Sequence, residues 1–277
     1  MLYSEICEKL KNAGIENFSY EASLLLEKFC GVRSSSITFA YEKDFSSDEL
    51  LRAVELREKH HPLQYILGEW YFFAEKYIVD ENCLIPRSDT EILVEKAIEL
   101  LPQNGFFADL CTGSGCIAVS TLAHRKDCHA FALEISRGAL ELAKKNASLN
   151  GVADRLSFFE GDVLRDIDAV DGIEDGIFDA LLSNPPYIRT AVIDTLSEEV
   201  KKEPRIALDG GDDGLLFYRT ILEKHTRFLK KNGFILFEIG YDQGEEISAL
   251  ANESGFTCEI IKDLSGCNRV AFLKKSI

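Results

Sequence analysis

A glycine-rich turn, an isolated acid and a proline-stiffened amide are the residues of this chain whose types and spacing can do chemistry. The first is Asp109-Leu110-Cys111-Thr112-Gly113-Ser114-Gly115-Cys116, between the apolar run 106–110 and a helical pattern that begins at 115. Glycines let the backbone turn sharply and approach a ligand closely, and a helix N-terminus adds partial positive charge. Roughly twenty residues further on, Glu134 stands at the end of the next apolar run, where a carboxylate accepts hydrogen bonds from both hydroxyls of a ribose. The third is Asn184-Pro185-Pro186-Tyr187, after the run 178–183. Two prolines lock φ and donate no backbone hydrogen bonds, so the chain leaves that strand in a stiff turn. The Asn184 side-chain oxygen and the Pro185 carbonyl can each accept from one N–H of a planar NH2 group, while Tyr187 offers an apolar face. Taken singly, each feature also fits an ordinary connection: a tight βα turn, a solvated strand-end acid, a Pro-Pro loop with a packed tyrosine. In this order, at the carboxyl ends of successive strands, they point to a site where a nucleoside cofactor meets a substrate nitrogen.

Such residues need a parallel sheet to hold them, and the chain has the pattern for one. From Ser88 onward helices expected over 89–101, 115–125, 137–151 and 217–229 alternate with strands over 106–110, 129–135, 156–162, 178–183 and 233–239. Two further strands, 256–264 and 269–275, close the chain. The expected fold class is α/β, a doubly wound, mostly parallel seven-stranded sheet in which the last hairpin adds an antiparallel strand. Before it, residues 1–71 read as a small all-helical domain: Ile6 and Leu10, then Ala22, Leu25, Leu26 and Phe29, then Leu50, Leu51, Val54 and Leu56, recur at helical intervals. Start signals from Asp44 to Asp48 precede the last of these helices, and His61-Pro62 stops it. Residues 72–87 read as a β-hairpin linker around an Asp-Glu-Asn turn, 88–277 as the catalytic domain, and Asp166–Gly176 as a surface loop.

Composition narrows the classes of function. The 277 residues are 46% hydrophobic and 28% charged, enough apolar residue for a packed core. No apolar run nears the roughly 18 residues of a membrane span, and the charged start does not fit a signal peptide, so a cytoplasmic location is expected. With 31 Lys plus Arg against 47 Asp plus Glu, the net charge of −16 repels polyphosphate, and a protein or small molecule is the expected partner rather than nucleic acid. The eight cysteines form no C-x-x-C pair and no cluster with histidine at zinc spacing; most are expected to be small core residues, and no metal is expected. His60-His61 reads as a helix end, and Gly210-Gly211-Asp212-Asp213-Gly214 as a turn without the ligand spacing of a calcium loop.

The order and spacing of Asp109–Gly115, Glu134, Gly161-Asp162-Val163 and Asn184–Tyr187 resemble class I S-adenosylmethionine-dependent methyltransferases that methylate planar nitrogens. Further segments are similar to the bacterial release factor glutamine methyltransferase family: Pro62–Gly68 with Trp70-Tyr71-Phe72, Leu84-Ile85-Pro86-Arg87 with Thr90-Glu91, Glu203–Gly214, and Phe237–Gly244. The resemblance covers nearly the whole chain. It implies transfer of a methyl group from S-adenosylmethionine, leaving S-adenosylhomocysteine, to the glutamine amide nitrogen in the Gly-Gly-Gln motif of class I peptide chain release factors. By the same resemblance Cys111, Thr112, Gly113, Ser114, Gly115 and Glu134 hold the methionine moiety and ribose, Asp162 and Val163 flank the adenine, Asn184 also contacts the cofactor, and Asn184, Pro185, Pro186 and Tyr187 receive the substrate amide. Asn184, Pro185 and Tyr187 are the expected catalytic residues. Three positions depart from the family pattern: Cys111 for the first glycine of the turn, Glu134 for aspartate, and Ser88-Asp89 for Pro-Glu. Cys111 is expected to be tolerated only where that position does not need positive φ. The rival readings are a glutamine methyltransferase acting on a ribosomal protein, a DNA adenine-amino methyltransferase, which the negative charge opposes, and a non-enzymatic nucleoside-binding protein.

Overall fold

The computed structural model describes residues 1–33, 43–45, 47–165 and 173–275; most of the surface loop expected at Asp166–Gly176 lies outside them. The chain divides into two compact units, Met1–Glu69 with Leu196–Lys202, and Trp70–Thr195 with Glu203–Ile277.

The first unit is helical: α1 (Tyr3–Asn12), α2 (Phe18–Cys30), α3 (Asp48–Glu58) and the short α4 (Leu63–Leu67). Its core is Ile6 and Leu10 of α1, Ala22, Leu25 and Leu26 of α2, and Leu50, Ala53 and Val54 of α3. Leu51 and Leu56, expected on the apolar stripe, are instead 37% and 43% exposed. At 3.6 residues per turn the face that starts at Leu50 continues through Ala53, Val54 and Arg57, and misses both leucines. Ser47 caps α3, its hydroxyl accepting from the Leu50 N–H at 3.4 Å. Pro62 is the N-cap of α4, which ends at Gly68 in the left-handed region.

The second unit opens with a hairpin, β1 (Glu69–Phe72) and β2 (Glu75–Ile78). Its turn is Phe73-Ala74, with Phe73 at φ 58° and its N–H donating to Glu91 at 2.8 Å. The expected Asp-Glu-Asn turn is therefore not the hairpin's: residues 79–87 after β2 form no strand, because Asp80 folds the chain locally by accepting from the Asn82 N–H. Then come α5 (Glu91–Leu100), β3 (Phe106–Leu110), α6 (Cys116–His124), β4 (His129–Glu134), α7 (Arg137–Leu149), β5 (Leu156–Glu160) and β6 (Phe178–Ser183). The chain finishes with α8 (Leu216–Thr220), β7 (Leu229–Glu238), α9 (Gly244–Glu253), β8 (Phe256–Lys262) and β9 (Asn268–Lys275). The helix expected over 217–229 is α8 continued by a π turn (Ile221–His225) and a 3-10 turn (Thr226–Phe228). Helix α9 lacked an expectation: it begins inside the motif 237–244 that carried the resemblance.

The seven strands run in the order β5-β4-β3-β6-β7-β9-β8. All pairs are parallel except those of β9, which is antiparallel to both neighbours. The order reverses between β3 and β6, and crevices for ligands open at such switch points, outside the carboxyl ends of the strands. Along β3, Ala108 and Leu110 join the core shared with α8 and α9. Asp109 points the other way, accepting from the Ala118 N–H of α6. The sheet is thus covered on both faces, and its carboxyl edge is left for the site.

Candidate functional site

Pairing register, which a sequence alone does not reveal, assembles the site. Leu110 of β3 stands opposite Leu133 of β4 and Ser183 of β6, and Ser183 stands opposite Phe237 of β7. One residue further along each strand therefore lie Glu134, Cys111, Asn184 and Glu238, in a row across four neighbouring strand ends. The Ser183 hydroxyl ties two of these ends together by donating to the Leu110 carbonyl at 2.6 Å.

A cavity opens beside this row. Cys111, Thr112, Gly113, Ser114, Glu134, Asp162, Val163, Asn184 and Pro186 line it. Gly115, Pro185 and Tyr187, also expected at the site, do not. Gly115 is the N-cap of α6 at φ 82°, packed so that a Cβ there would sit 3.1 Å from Ala143. Tyr187 turns away from the cavity toward Glu238, donating to its Oε1 at 3.4 Å. The lining also includes residues to which sequence reasoning assigned no role: Arg87 and Thr90 after the hairpin, and Ile206 and Phe217 beyond the proline turn.

The glycine turn is built from its own hydrogen bonds. The Asp109 carboxylate accepts from the Thr112 hydroxyl at 2.6 Å and from the Ala118 N–H at 3.2 Å, joining the turn to α6. Its other oxygen is buried without a partner among the described residues, and burial pushes this carboxyl up to about 7. Asn146 of α7 donates to the Ser114 carbonyl at 2.9 Å and clasps both backbone groups of Ile78 in the hairpin. Cys111 sits at φ 63°. The expectation that this position avoids positive φ is therefore wrong: the thiol-bearing residue takes the left-handed conformation glycine would take more easily, at roughly 1–2 kcal/mol. The cysteines as a class are also less buried than expected. Only Cys83 and Cys128 are fully buried; Cys111 packs against the core while also lining the cavity, and Cys116, the first residue of α6, lines it too.

Glu134 is buried, with Oε2 accepting from the Gly113 N–H and Oε1 from the Ser136 N–H, both at 2.9 Å. Burial raises its pKa and the two backbone donors pull it back. Each oxygen keeps a lone pair for a ligand hydroxyl in the cavity. Apolar walls lie on either side, from Leu133 and Ile135 to Val163 and Leu164. Asp162 accepts from the Leu164 N–H at 2.9 Å, which turns the chain and leaves Val163 against the cavity. A glycine turn, a buried acceptor acid and flanking apolar walls fit a nucleoside with a charged amino-acid tail.

The proline turn is braced by two other segments. A Cβ on Gly210 would lie 2.7 Å from the Tyr187 Cα and 2.8 Å from the Pro186 carbonyl, so only glycine admits this approach. The Gly210 N–H donates to the Ile188 carbonyl at 2.8 Å. Gln243 donates from Nε2 to the carbonyls of Tyr187 at 3.2 Å and Gly214 at 3.1 Å, and accepts from the Gly240 N–H. The glycine-rich stretch 210–214 is a brace for the proline turn. Asn184 itself donates from Nδ2 to the Thr90 hydroxyl oxygen at 3.3 Å, and that hydroxyl donates to Glu238 Oε2 at 2.5 Å. Glu238 is fully buried and its carboxyl is pushed up to about 7, first by desolvation.

Comparison with known proteins bears on what such a site serves. Residues 88–217 match the family model described as Methyltransferase small domain, and residues 2–68 the one described as PrmC N-terminal domain. The chain is 36% identical to the release factor glutamine methyltransferase of Aquifex aeolicus over 278 aligned residues, 98% of this chain and 96% of that protein. It is 40% identical to the protein of that name from Thermodesulfovibrio yellowstonii over 229 residues, 80% of each chain. Among solved structures, a methyltransferase from Pyrococcus furiosus superposes with a TM-score of 0.51 at 19% identity, covering 69% of this chain and 84% of that one, a likeness of fold.

Proposed function

This chain belongs to the release factor glutamine methyltransferase family, and from that premise we propose that it transfers a methyl group from S-adenosylmethionine to the side-chain amide nitrogen of the Gly-Gly-Gln glutamine of class I peptide chain release factors. The observation that carries the reading is the neighbourhood of three strand ends. The glycine turn, the Glu134 acceptor and the Asn184 amide line one cavity at the sheet's switch point. The cofactor's sulfonium supplies an electrophilic methyl group. The protein's own residues do the rest. Thr112–Ser114 wrap the amino-acid tail, Glu134 accepts from the ribose hydroxyls, and Asp162 with Val163 borders the base. The methylated nitrogen then loses its extra proton to water or a carbonyl acceptor, S-adenosylhomocysteine is the other product, and no metal takes part.

An amide nitrogen is a poor nucleophile because its lone pair is delocalised into the carbonyl. Accepting both of its N–H bonds, at the Asn184 Oδ1 and the Pro185 carbonyl, draws electron density toward nitrogen and aims it at the methyl carbon. The stiff turn makes these acceptors rigid before substrate arrives. Residues 1–71 act as a docking domain for the protein substrate, 72–87 as the linker, and 88–277 as the transferase. No helix among the described residues is long and apolar enough to cross a membrane.

Mass spectrometry of a purified class I release factor, incubated with this enzyme and labelled S-adenosylmethionine, tests the proposal. One methyl group on the glutamine of the Gly-Gly-Gln peptide is the expected result. Label in a ribosomal protein or in DNA, with none in the release factor, overturns it.

A further inference from the structure

Asn184 can accept from a substrate N–H only if its amide presents oxygen to the cavity, and an amide is nearly symmetric in shape. Something must choose between its two flips. The Glu238 carboxylate is buried, and when ionised it can only accept. Its Oε2 accepts a hydrogen bond from the Thr90 hydroxyl at 2.5 Å, so the Thr90 oxygen faces Asn184 with lone pairs. Asn184 answers with Nδ2 at 3.3 Å, and its Oδ1 receives no hydrogen bond from any described residue. Tyr187 donates to the other oxygen of Glu238 and the Tyr218 hydroxyl to the Glu238 backbone carbonyl at 2.8 Å, so the carboxylate is held in place.

We infer that Thr90 and Glu238 form a polarity relay that fixes the flip of the Asn184 amide and so turns its oxygen toward the substrate nitrogen. The inference rests on the amide-acceptor reading given above and names the residues that make it work. Thr90 and Glu238 are positioning residues: they act through Asn184 and transfer nothing themselves. Reversing the relay would put an NH2 group where the substrate's own NH2 must bind, two donors facing each other. The relay spans three segments distant in sequence, the turn before α5, the end of β6 and the end of β7, the last two held side by side by the pairing of Ser183 with Phe237.

The test uses the full-length enzyme with a purified class I release factor and S-adenosylmethionine. Thr90→Val keeps the side-chain shape and removes the hydroxyl; kcat should fall about tenfold to a hundredfold, while S-adenosylhomocysteine binding by calorimetry stays within about threefold. Thr90→Ser, which restores the hydroxyl, should recover most of kcat. Glu238→Gln is the second variant and should show the same separation of kcat from cofactor affinity. An undiminished kcat in both Thr90→Val and Glu238→Gln overturns the relay, and so does a loss that Thr90→Ser fails to recover. Equal losses of turnover and of S-adenosylhomocysteine binding also overturn it, since they mark a general support of the fold. Absence of transfer by the wild-type enzyme is a different failure, of the substrate reading itself, and takes the relay with it.

Discussion

Buried carboxylates dominate the chemistry at the scale of single residues. Glu134 spends one lone pair of each oxygen on a backbone N–H, which orients it and leaves the remaining ones for a ribose. Glu134→Ala should raise the S-adenosylhomocysteine dissociation constant about tenfold to a hundredfold, the scale of losing charge-assisted hydrogen bonds; calorimetry checks it. Asp109 and Glu238 both have pKa values of about 7 in the folded protein, above their ordinary 3.8 and 4.5. A raised folded-state value means that the folded protein holds these protons more tightly than the unfolded chain does. Their contribution to stability is therefore complete below about pH 4 and is lost as pH rises through about 7. Activity should move the opposite way, because only an ionised Glu238 forces the Thr90 polarity. The groups facing Glu238 are Thr90, Tyr187, Asp89, Arg269 and Tyr218, and among the charged ones Asp89 holds its pKa up while Arg269 lowers it. Urea midpoints between pH 4.5 and 8, measured beside kcat, should show the two trends crossing, with both slopes reduced in Glu238→Gln.

At the scale of elements, the strands of the sheet and their order of types were legible because apolar runs alternating with helical periodicity leave few alternatives. Glu134 and Asn184 were legible for the same reason, as polar residues ending apolar runs. Register was not. Glu238 lies one residue before the end of the run 233–239 and Asn184 follows 178–183, yet only the pairing of Ser183 with Phe237 makes them neighbours. The hairpin was misplaced because Asp-Glu-Asn is strong turn chemistry, whereas Phe73 turns at positive φ against sequence preference, its N–H held by Glu91. Helix α9 was hidden in a segment read as a motif. The brace at Gly210 was read as a turn, and what it touches needed the fold. Gly210→Ala should push the Pro186-Tyr187 backbone aside and cost about 1–3 kcal/mol as an overpacked contact. Turnover should fall further than S-adenosylhomocysteine affinity, because the glycine turn is not part of this contact; steady-state kinetics beside calorimetry and urea unfolding check both.

At the scale of the whole molecule, Arg57 is the polar centre of the helical unit. Its guanidinium pairs with Glu21 of α2, donates to Glu199 at 2.7 Å and reaches the His61 carbonyl at 3.3 Å. Removing one member of such a buried set leaves the others uncompensated. Arg57→Ala should destabilise this unit by about 2–3 kcal/mol, a value reduced from that of a fully dry pair because Glu199 is partly in water. Hydrogen exchange of α2 and α3 should record the loss, with the strands of the sheet unaffected.

Glu199 belongs to the segment Leu196–Lys202, which clusters with helices made far earlier in the chain. That separation has a consequence in time. A ribosome working at about 5–20 residues per second needs on the order of ten seconds to go from the end of α4 to this segment. Throughout that interval the newborn helices exist with Arg57 lacking one of its two acids, and with a surface awaiting seven residues not yet made. The helical unit, whose helices leave the ribosomal tunnel ahead of the sheet, is therefore completed only after β3, β4, β5 and β6 have been synthesised, so its maturation follows the emergence of half the transferase instead of preceding it.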